Sequence, residues 1–232
     1  MKFEFKLIIF KIKNILTIIK SKRLKKKIKK KFSLKKKSFE EMILKKNFKQ
    51  KWFLNNFEVF HYFFPKDYEK KFTYLEIGSY EGLSALNVLN NYKNVKVFLI
   101  DLWSEANKNS EGLEVNFLEV EERFDKNLSE FSFSKIKSDS VIAMRQLAKE
   151  NKKFDIIYID GSHNGEDILS DAIEAFKLLN LNGIIIFDDI ANTNQEISKQ
   201  SFEGFNSFIK FYNNEIKLLY FSKIAIIKKI NY

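Results

Sequence analysis

The sequence predicts an α/β chain with a doubly wound, mostly parallel sheet, an antiparallel edge strand and N-terminal helices ahead of the sheet. Three observations carry this expectation. From about Phe72, short apolar runs alternate with amphipathic stretches at helical spacing, as in parallel strands joined by crossover helices. The last two apolar runs, Ile216–Phe221 and Lys223–Ile230, leave no room for a crossover and should pair antiparallel at one edge. Ahead of Phe72 lies a lysine-rich helical stretch that closes on the single proline, Pro65.

In chain order, residues 3–19 place Phe5, Ile8, Ile9, Ile12, Leu16 and Ile19 on one stripe of a helix. Lys11 and Lys13 interrupt the run well short of the roughly 20 apolar residues that span a bilayer. No small-residue cleavage site follows, so neither a transmembrane helix nor a secretory signal is expected, and the chain is assigned to the cytoplasm. The formal net charge is +11, from 41 Lys and Arg against 30 Asp and Glu, but it is unevenly distributed. Met1–Lys37 holds 16 basic residues and one acid, a charge of +15, which leaves −4 on the remainder. An amphipathic helix followed by the basic run Lys20–Lys37 suits an anionic membrane surface, where each lysine contributes about 1 kcal/mol. The competing reading is a helix packed on the domain, or on a second copy in a homodimer, followed by a solvated linker. Nucleic acid is disfavoured as a partner, because there are three arginines and no clear aromatic-basic platform. The expected division is a basic tail over 1–37, a helical lead-in over 38–71 and a main domain over 72–232, whose ligand binding should survive removal of the tail.

Residues 38–64 read as helical, with Phe39, Met42, Ile43, Phe48, Trp52, Phe53, Phe57 and Phe60 as core candidates. Strands are expected at Thr73–Ile77, Val95–Asp101, Lys135–Lys137, Phe154–Asp160 and Gly183–Asp188. Helices are expected near Gly82–Asn91, Glu114–Leu128, Ser140–Glu150, Gly165–Asn180 and Gln195–Tyr212. The absence of cysteine excludes disulfides, thiolate metal sites and a cysteine nucleophile. With His61 and His163 as the two histidines, a multi-histidine zinc site is excluded as well. His61 has no polar context and reads as a packed or surface residue.

In an open parallel sheet, ligands bind outside the carboxyl ends of the strands. The first strand ends in Glu76-Ile77-Gly78-Ser79-Tyr80-Glu81-Gly82-Leu83-Ser84, where two glycines four apart allow a tight turn close to a ligand. The second ends in Asp101, the third leads to Ser138-Asp139-Ser140, the fourth to Asp160-Gly161-Ser162-His163 and the fifth to Asp188-Asp189. The E-x-G-x-x-x-G spacing, together with these strand ends, resembles class I S-adenosylmethionine-dependent methyltransferases over about Phe72–Ile190. That resemblance implies a Rossmann-like fold and transferase activity (EC 2.1.1.-). By the same resemblance, Glu76, Gly78, Ser79, Gly82 and Ser84 surround the methionine part of the cofactor, Asp101 holds its ribose, Ser140 its adenine, and Asp160 borders it. Trp103 either covers the adenine or sits in the core.

Asp160, Asp188 and Asp189 should converge at the mouth of the sheet, and a hard divalent cation is the simplest means of keeping such carboxylates ionised. The placement is similar to the metal-dependent O-methyltransferases, the group with catechol and macrolide-sugar O-methyltransferases, in which these positions hold magnesium. Where the catechol type has a lysine base, this chain has His163, and a neutral imidazole can take a proton near pH 7. The bland alternatives are that Asp160 braces its loop and His163 packs the following helix. The acceptor implied is a small or sugar-like molecule, bound by the lead-in, the Ser104–Leu113 loop and the stretch after Asp189. Two other functions compete: a nicotinamide-dependent oxidoreductase, disfavoured because Glu81 would repel a pyrophosphate, and a non-catalytic membrane or RNA adaptor with a vestigial pocket.

Overall fold

Strands β1 (Phe72–Ile77), β2 (Val95–Asp101), β3 (Ser134–Lys137), β4 (Phe154–Ile159), β5 (Leu179–Phe187), β6 (Ile216–Phe221) and β7 (Ala225–Lys229) form one sheet in the order β3-β2-β1-β4-β5-β7-β6. The computed structural model describes residues 3–104, 116–190 and 196–231. β1 to β5 pair in parallel, and β7 runs antiparallel to both β5 and β6. The crossovers are α4 (Leu83–Asn91), α5 (Phe117–Leu128), α6 (Ser140–Lys149) and α7 (Gly165–Leu178), with α8 (Glu196–Phe211) preceding the antiparallel pair. The doubly wound α/β expectation therefore holds.

Some boundaries differ from the sequence expectation for local reasons. β5 begins at Leu179 rather than Gly183 and takes over the last residues assigned to the preceding helix. Leu179 pairs with Phe154, and a bulge then shifts the register before Ile156 meets Ile184. Asn182 takes a left-handed φ of 68° within this stretch, a conformation asparagine tolerates better than most residues. β4 stops at Ile159 and β5 at Phe187, so Asp160 and Asp188 lie just past the strands. Residues 114 and 115 of the expected Glu114–Leu128 helix, and Gln195 of the expected Gln195–Tyr212 helix, lie outside the described residues.

The N-terminal region departs most from expectation. Helix α1 (Phe3–Lys13) is followed by α2 (Ile15–Ile43), and the amide of Ile18 donates to the Asn14 carbonyl across the junction. The lysine run is thus helix, not linker, and α2 crosses Lys37 without a break. Its inward side is buried on the main domain. Leu7 and Phe10 join the core on one sheet face, where the Phe10 ring meets those of Phe202, Phe205 and Phe221. Ile28, Phe32, Phe39 and Ile43 join the core on the other face. Between the two, buried Ser21 accepts a hydrogen bond from the Phe221 amide at 3.0 Å. The helix passes over the edge strand β6 there and engages a backbone donor that would otherwise invite another strand. The lead-in is less helical than expected: after α2 the chain is irregular until a short 3-10 turn (Trp52–Asn55) and α3 (Phe57–Phe63). Of its core candidates, Trp52 is 49% exposed. Among the described residues, no helix is long and apolar enough to cross a membrane.

Candidate active site

Strand order reverses direction between β1 and β4, so the crevice lies above their carboxyl ends. The loop after β1 is built on two left-handed glycines, Gly78 at φ 84° and Gly82 at φ 82°. A Cβ on Gly78 would stand 2.1 Å from the carbonyl oxygen of Asp160, so only glycine lets the β1 and β4 loops approach this closely. Gly82 instead answers to packing, since a Cβ there would meet the Leu128 side chain at 2.9 Å.

Glu76 is fully buried. The hydroxyls of Tyr74 and Ser84 donate to its two oxygens at 2.5 and 2.8 Å. Burial pushes its carboxyl up to about 7, against the stabilising effect of the hydroxyls around it. The Ser79 hydroxyl lies close enough to favour the charged form of Glu76, yet it is buried without completing a hydrogen bond. A buried polar atom in that state is one that a ligand group can satisfy.

Asp101 accepts hydrogen bonds from the Tyr80 amide at 2.8 Å on one oxygen and the Trp103 amide at 2.9 Å on the other. Burial raises its pKa in spite of these amides. The same interactions hold Tyr80 and Trp103 in positive-φ conformations. Trp103 resolves as a core residue: it is 1% exposed, its indole N–H donates to the Tyr80 carbonyl at 2.9 Å, and its ring packs on Phe124. Trp52, which is half-exposed, lies beside the glycine loop with its ring 5.5 Å from that of Tyr80 at 32°.

Ser140 opens α6, and its hydroxyl donates to Asp171 at 2.5 Å. Asp171 is buried on α7, and burial raises its carboxyl to about 7. Sequence reading passed over it because an acid in the middle of a helix gives no sign of burial.

At the mouth, Asp160 and Asp188 are brought together by Tyr158, whose hydroxyl hydrogen-bonds to both. Asp188 also accepts from the Asn56 side-chain amide on both oxygens at 2.9 Å and from the Asp189 amide at 2.8 Å. Burial and mutual repulsion raise the pKa of Asp160 strongly, and burial together with Asp189 raises that of Asp188. Asp189 itself sits at φ 44°. Among the described residues, no group of three or more His, Asp or Glu side chains is arranged to hold a metal ion. The expected convergence of Asp160, Asp188 and Asp189 is therefore a hydrogen-bonded carboxylate pair with Asp189 alongside. His163 lies in the loop before α7, its carbonyl accepts from the Ser201 hydroxyl at 2.8 Å, and its ring is near enough to lower the pKa of Asp188. Tyr158 and Asn56 were not legible as site residues: Tyr158 belongs to an apolar run and Asn56 lies far off in sequence.

Glu81 and His61 both lie apart from the crevice. Glu81 does not face a ligand, because it is 1% exposed and bonded to Arg123 at 2.6 Å and to the amides of Lys49 and Gln50. Its charge is neutralised locally and, contrary to expectation, gives no argument against a pyrophosphate. His61 is a packed residue, 3% exposed, bonded to Asn87 at 2.9 Å and lowered to about 4, chiefly by burial. Most of the Ser104–Leu113 loop lies outside the described residues.

Residues 75–190 match the family described as "Methyltransferase domain". No curated protein matches the chain. Among solved structures, the MycE methyltransferase of the mycinamycin pathway, in complex with Mg and SAH, superposes with a TM-score of 0.53 at 18% identity, covering 80% of this chain. The chain spans about half of that protein, 51% of its length. An O-methyltransferase from Bacillus cereus aligns at 20% identity and a TM-score of 0.46, over 68% of this chain and 74% of that one. TomG from Streptomyces achromogenes aligns at 14% identity and a TM-score of 0.49, over 68% and 73%.

Proposed function

Because the chain belongs to the methyltransferase-domain family, we propose that it transfers a methyl group from S-adenosylmethionine to an oxygen of a small or sugar-like acceptor in the cytoplasm. The observation that carries the cofactor assignment is the set of ligand-ready groups at the strand switch: the Gly78 cradle, the unsatisfied Ser79 hydroxyl, the buried Glu76 carboxylate and the half-buried Asp101 carboxylate. Burial has raised the pKa of both carboxylates, and a cationic ligand beside them would favour their charged forms. The cofactor supplies, when bound, a sulfonium methyl group open to in-line displacement. Asp101, held by two backbone amides, would accept from ribose hydroxyls, Ser140 would meet the adenine, and Glu76 with Ser79 and Ser84 would meet the methionine end. Holding the acceptor oxygen roughly 3 Å from the methyl carbon would supply much of the rate. His163 would take the acceptor's proton, which needs an imidazole that is neutral at working pH.

Asp160, Asp188 and Asp189 are the residues that would hold a divalent cation. As placed, the three side chains do not form a ready site among the described residues; what speaks for a cation is the donor chemistry, since Asp160 and Asp188 are held above their ordinary pKa and a cation would relieve that. Bound there, the ion would lower the pKa of the acceptor hydroxyl. Asp188 would have to exchange part of its bonding to Asn56 and Tyr158 for the ion.

Calorimetry with S-adenosylmethionine and S-adenosylhomocysteine tests the cofactor. Micromolar binding that is lost in Asp101→Ala is expected, and no binding by folded wild-type protein would overturn the assignment. For the metal, Asp188→Ala should abolish magnesium-dependent turnover, while full activity in excess chelator would refute that part alone. Full activity of His163→Ala from acid to alkaline pH would remove the base.

A further inference from the structure

The outward side of the N-terminal helices changes character halfway along. Ile8, Ile12, Ile15, Leu16 and Ile19 are 51%, 65%, 53%, 70% and 41% exposed. At about 3.6 residues per turn they lie on one face, opposite the buried Leu7, Phe10, Ile28 and Phe32. Beyond Ser21 the same outward face carries Arg23, Lys26, Lys27, Lys30 and Lys37, all exposed. Leu34, at 82% exposure, is an apolar residue set among them. A groove of ≈ 590 Å³ opens beside the apolar stripe between α1 and α8, with Ile9 and Ile209 in its wall and Lys13 and Lys210 also lining it.

The inward side already buries what the fold requires, so the exposed isoleucines and leucine contribute nothing to the core. Five large apolar side chains in a continuous stripe are more than scattered surface residues. A protein partner could cover the stripe, but the adjoining lysines call for a dense negative surface in the same plane. An anionic bilayer offers apolar depth and headgroup charge in that arrangement.

We infer that the outward face of α1 and α2 docks on an anionic lipid bilayer, with the apolar stripe from Ile8 to Ile19 entering the interface and the lysines from Lys26 to Lys37 lying on the headgroups. This stands independently of the methyl-transfer reading. The helices lie in the plane of the surface rather than crossing it, in keeping with the interruption of the apolar run by Lys11 and Lys13. The attachment is rigid, because the opposite side of the same helices is packed into both cores.

The test is co-sedimentation of the full chain with vesicles of phosphatidylcholine alone or with about 30% phosphatidylglycerol, at low and high salt. Binding is expected to the anionic vesicles, to be weakened by salt and to be at least tenfold poorer on neutral ones. Ile12→Glu/Leu16→Glu should lose binding by a factor of ten or more while melting like the wild type, because both side chains are exposed. Lys26→Glu/Lys27→Glu/Lys30→Glu should lose about a hundredfold or more, since each lysine near the surface is worth about fivefold. Lys152→Glu, a charge change elsewhere on the surface, should bind like the wild type. Absence of wild-type binding to anionic vesicles would overturn the inference, as would unchanged binding by the Ile12→Glu/Leu16→Glu variant. A dimer that forms through the stripe, is abolished by Leu16→Glu and ignores vesicles would overturn it by assigning the surface to a second copy, and salt-dependent RNA binding without vesicle binding would overturn it in favour of nucleic acid.

Discussion

Replacing Glu76 by glutamine should make the protein more stable above neutral pH and less able to bind its cofactor. Burial raises the Glu76 carboxyl from 4.5 to about 7 in the folded protein. Below the unfolded value both states are protonated and nothing is lost. As pH rises, the unfolded chain ionises first, so stability falls until the folded group ionises near 7, and above that the loss is complete. A shift of this size corresponds to about 3 kcal/mol. The glutamine amide is neutral throughout and close in shape to the protonated acid, so the variant and the wild type should be nearly equal at about pH 4 and diverge toward about pH 8. For a chain of this length the gap at alkaline pH amounts to roughly 6–12 °C in melting temperature. The assay is thermal or urea denaturation of both proteins across that range, read as the difference between them so that other titrating groups cancel. A difference that stays flat with pH, or one that favours the wild type increasingly as pH rises, would refute the reasoning. The same variant should lose cofactor affinity, because the charge that is costly in the free protein is the one a cationic ligand would use.

Gly78→Ala should fold but lose at least tenfold in cofactor affinity by calorimetry, because its Cβ would lie 2.1 Å from the Asp160 carbonyl oxygen and its φ is left-handed; unchanged affinity would show that the cradle is not where the ligand binds. Phe10→Ala should cost about 3–5 kcal/mol in urea denaturation, since the ring fits among Phe202, Phe205 and Phe221, and a loss below about 1 kcal/mol would mean that α1 is not docked. Arg123→Leu should destabilise by about 3 kcal/mol by leaving Glu81 buried without its cation, and adding Glu81→Gln should recover part of that; no recovery in the double variant would place the loss outside the pair.

The sheet was legible because most of its strands are short, largely apolar runs, and the positions of Gly78, Asp101 and Asp160 followed from where those runs stop. Less legible was anything that depends on a partner distant in sequence. Glu81 reads as an exposed loop acid until Arg123, 42 residues away, is seen beside it. Asn56 gives no signal until it meets Asp188 across 132 residues. The lysine run was misleading for a different reason: one side of a helix can be buried on a few widely spaced apolar residues, so Ile28 and Phe32 are easily lost among the charges around them. Division by charge therefore put a boundary at Lys37 where the backbone is continuous helix, and a chain cut there would lose Leu7, Phe10, Ile28 and Phe32 from its cores.

One oxygen of Glu81 receives the amides of both Lys49 and Gln50, while the other receives Arg123 from α5. Three stretches of chain thus meet at one buried carboxylate, beside which the Asn127 side chain joins Asn47 to the Glu81 carbonyl. The consequence concerns inheritance as much as structure. A lead-in borrowed from a relative would bring its backbone amides to this place only if its own turn has the same length, and a change at Glu81 would release the lead-in and the glycine loop together. The two segments can diverge in outward-facing residues, but at this point they must change as a unit.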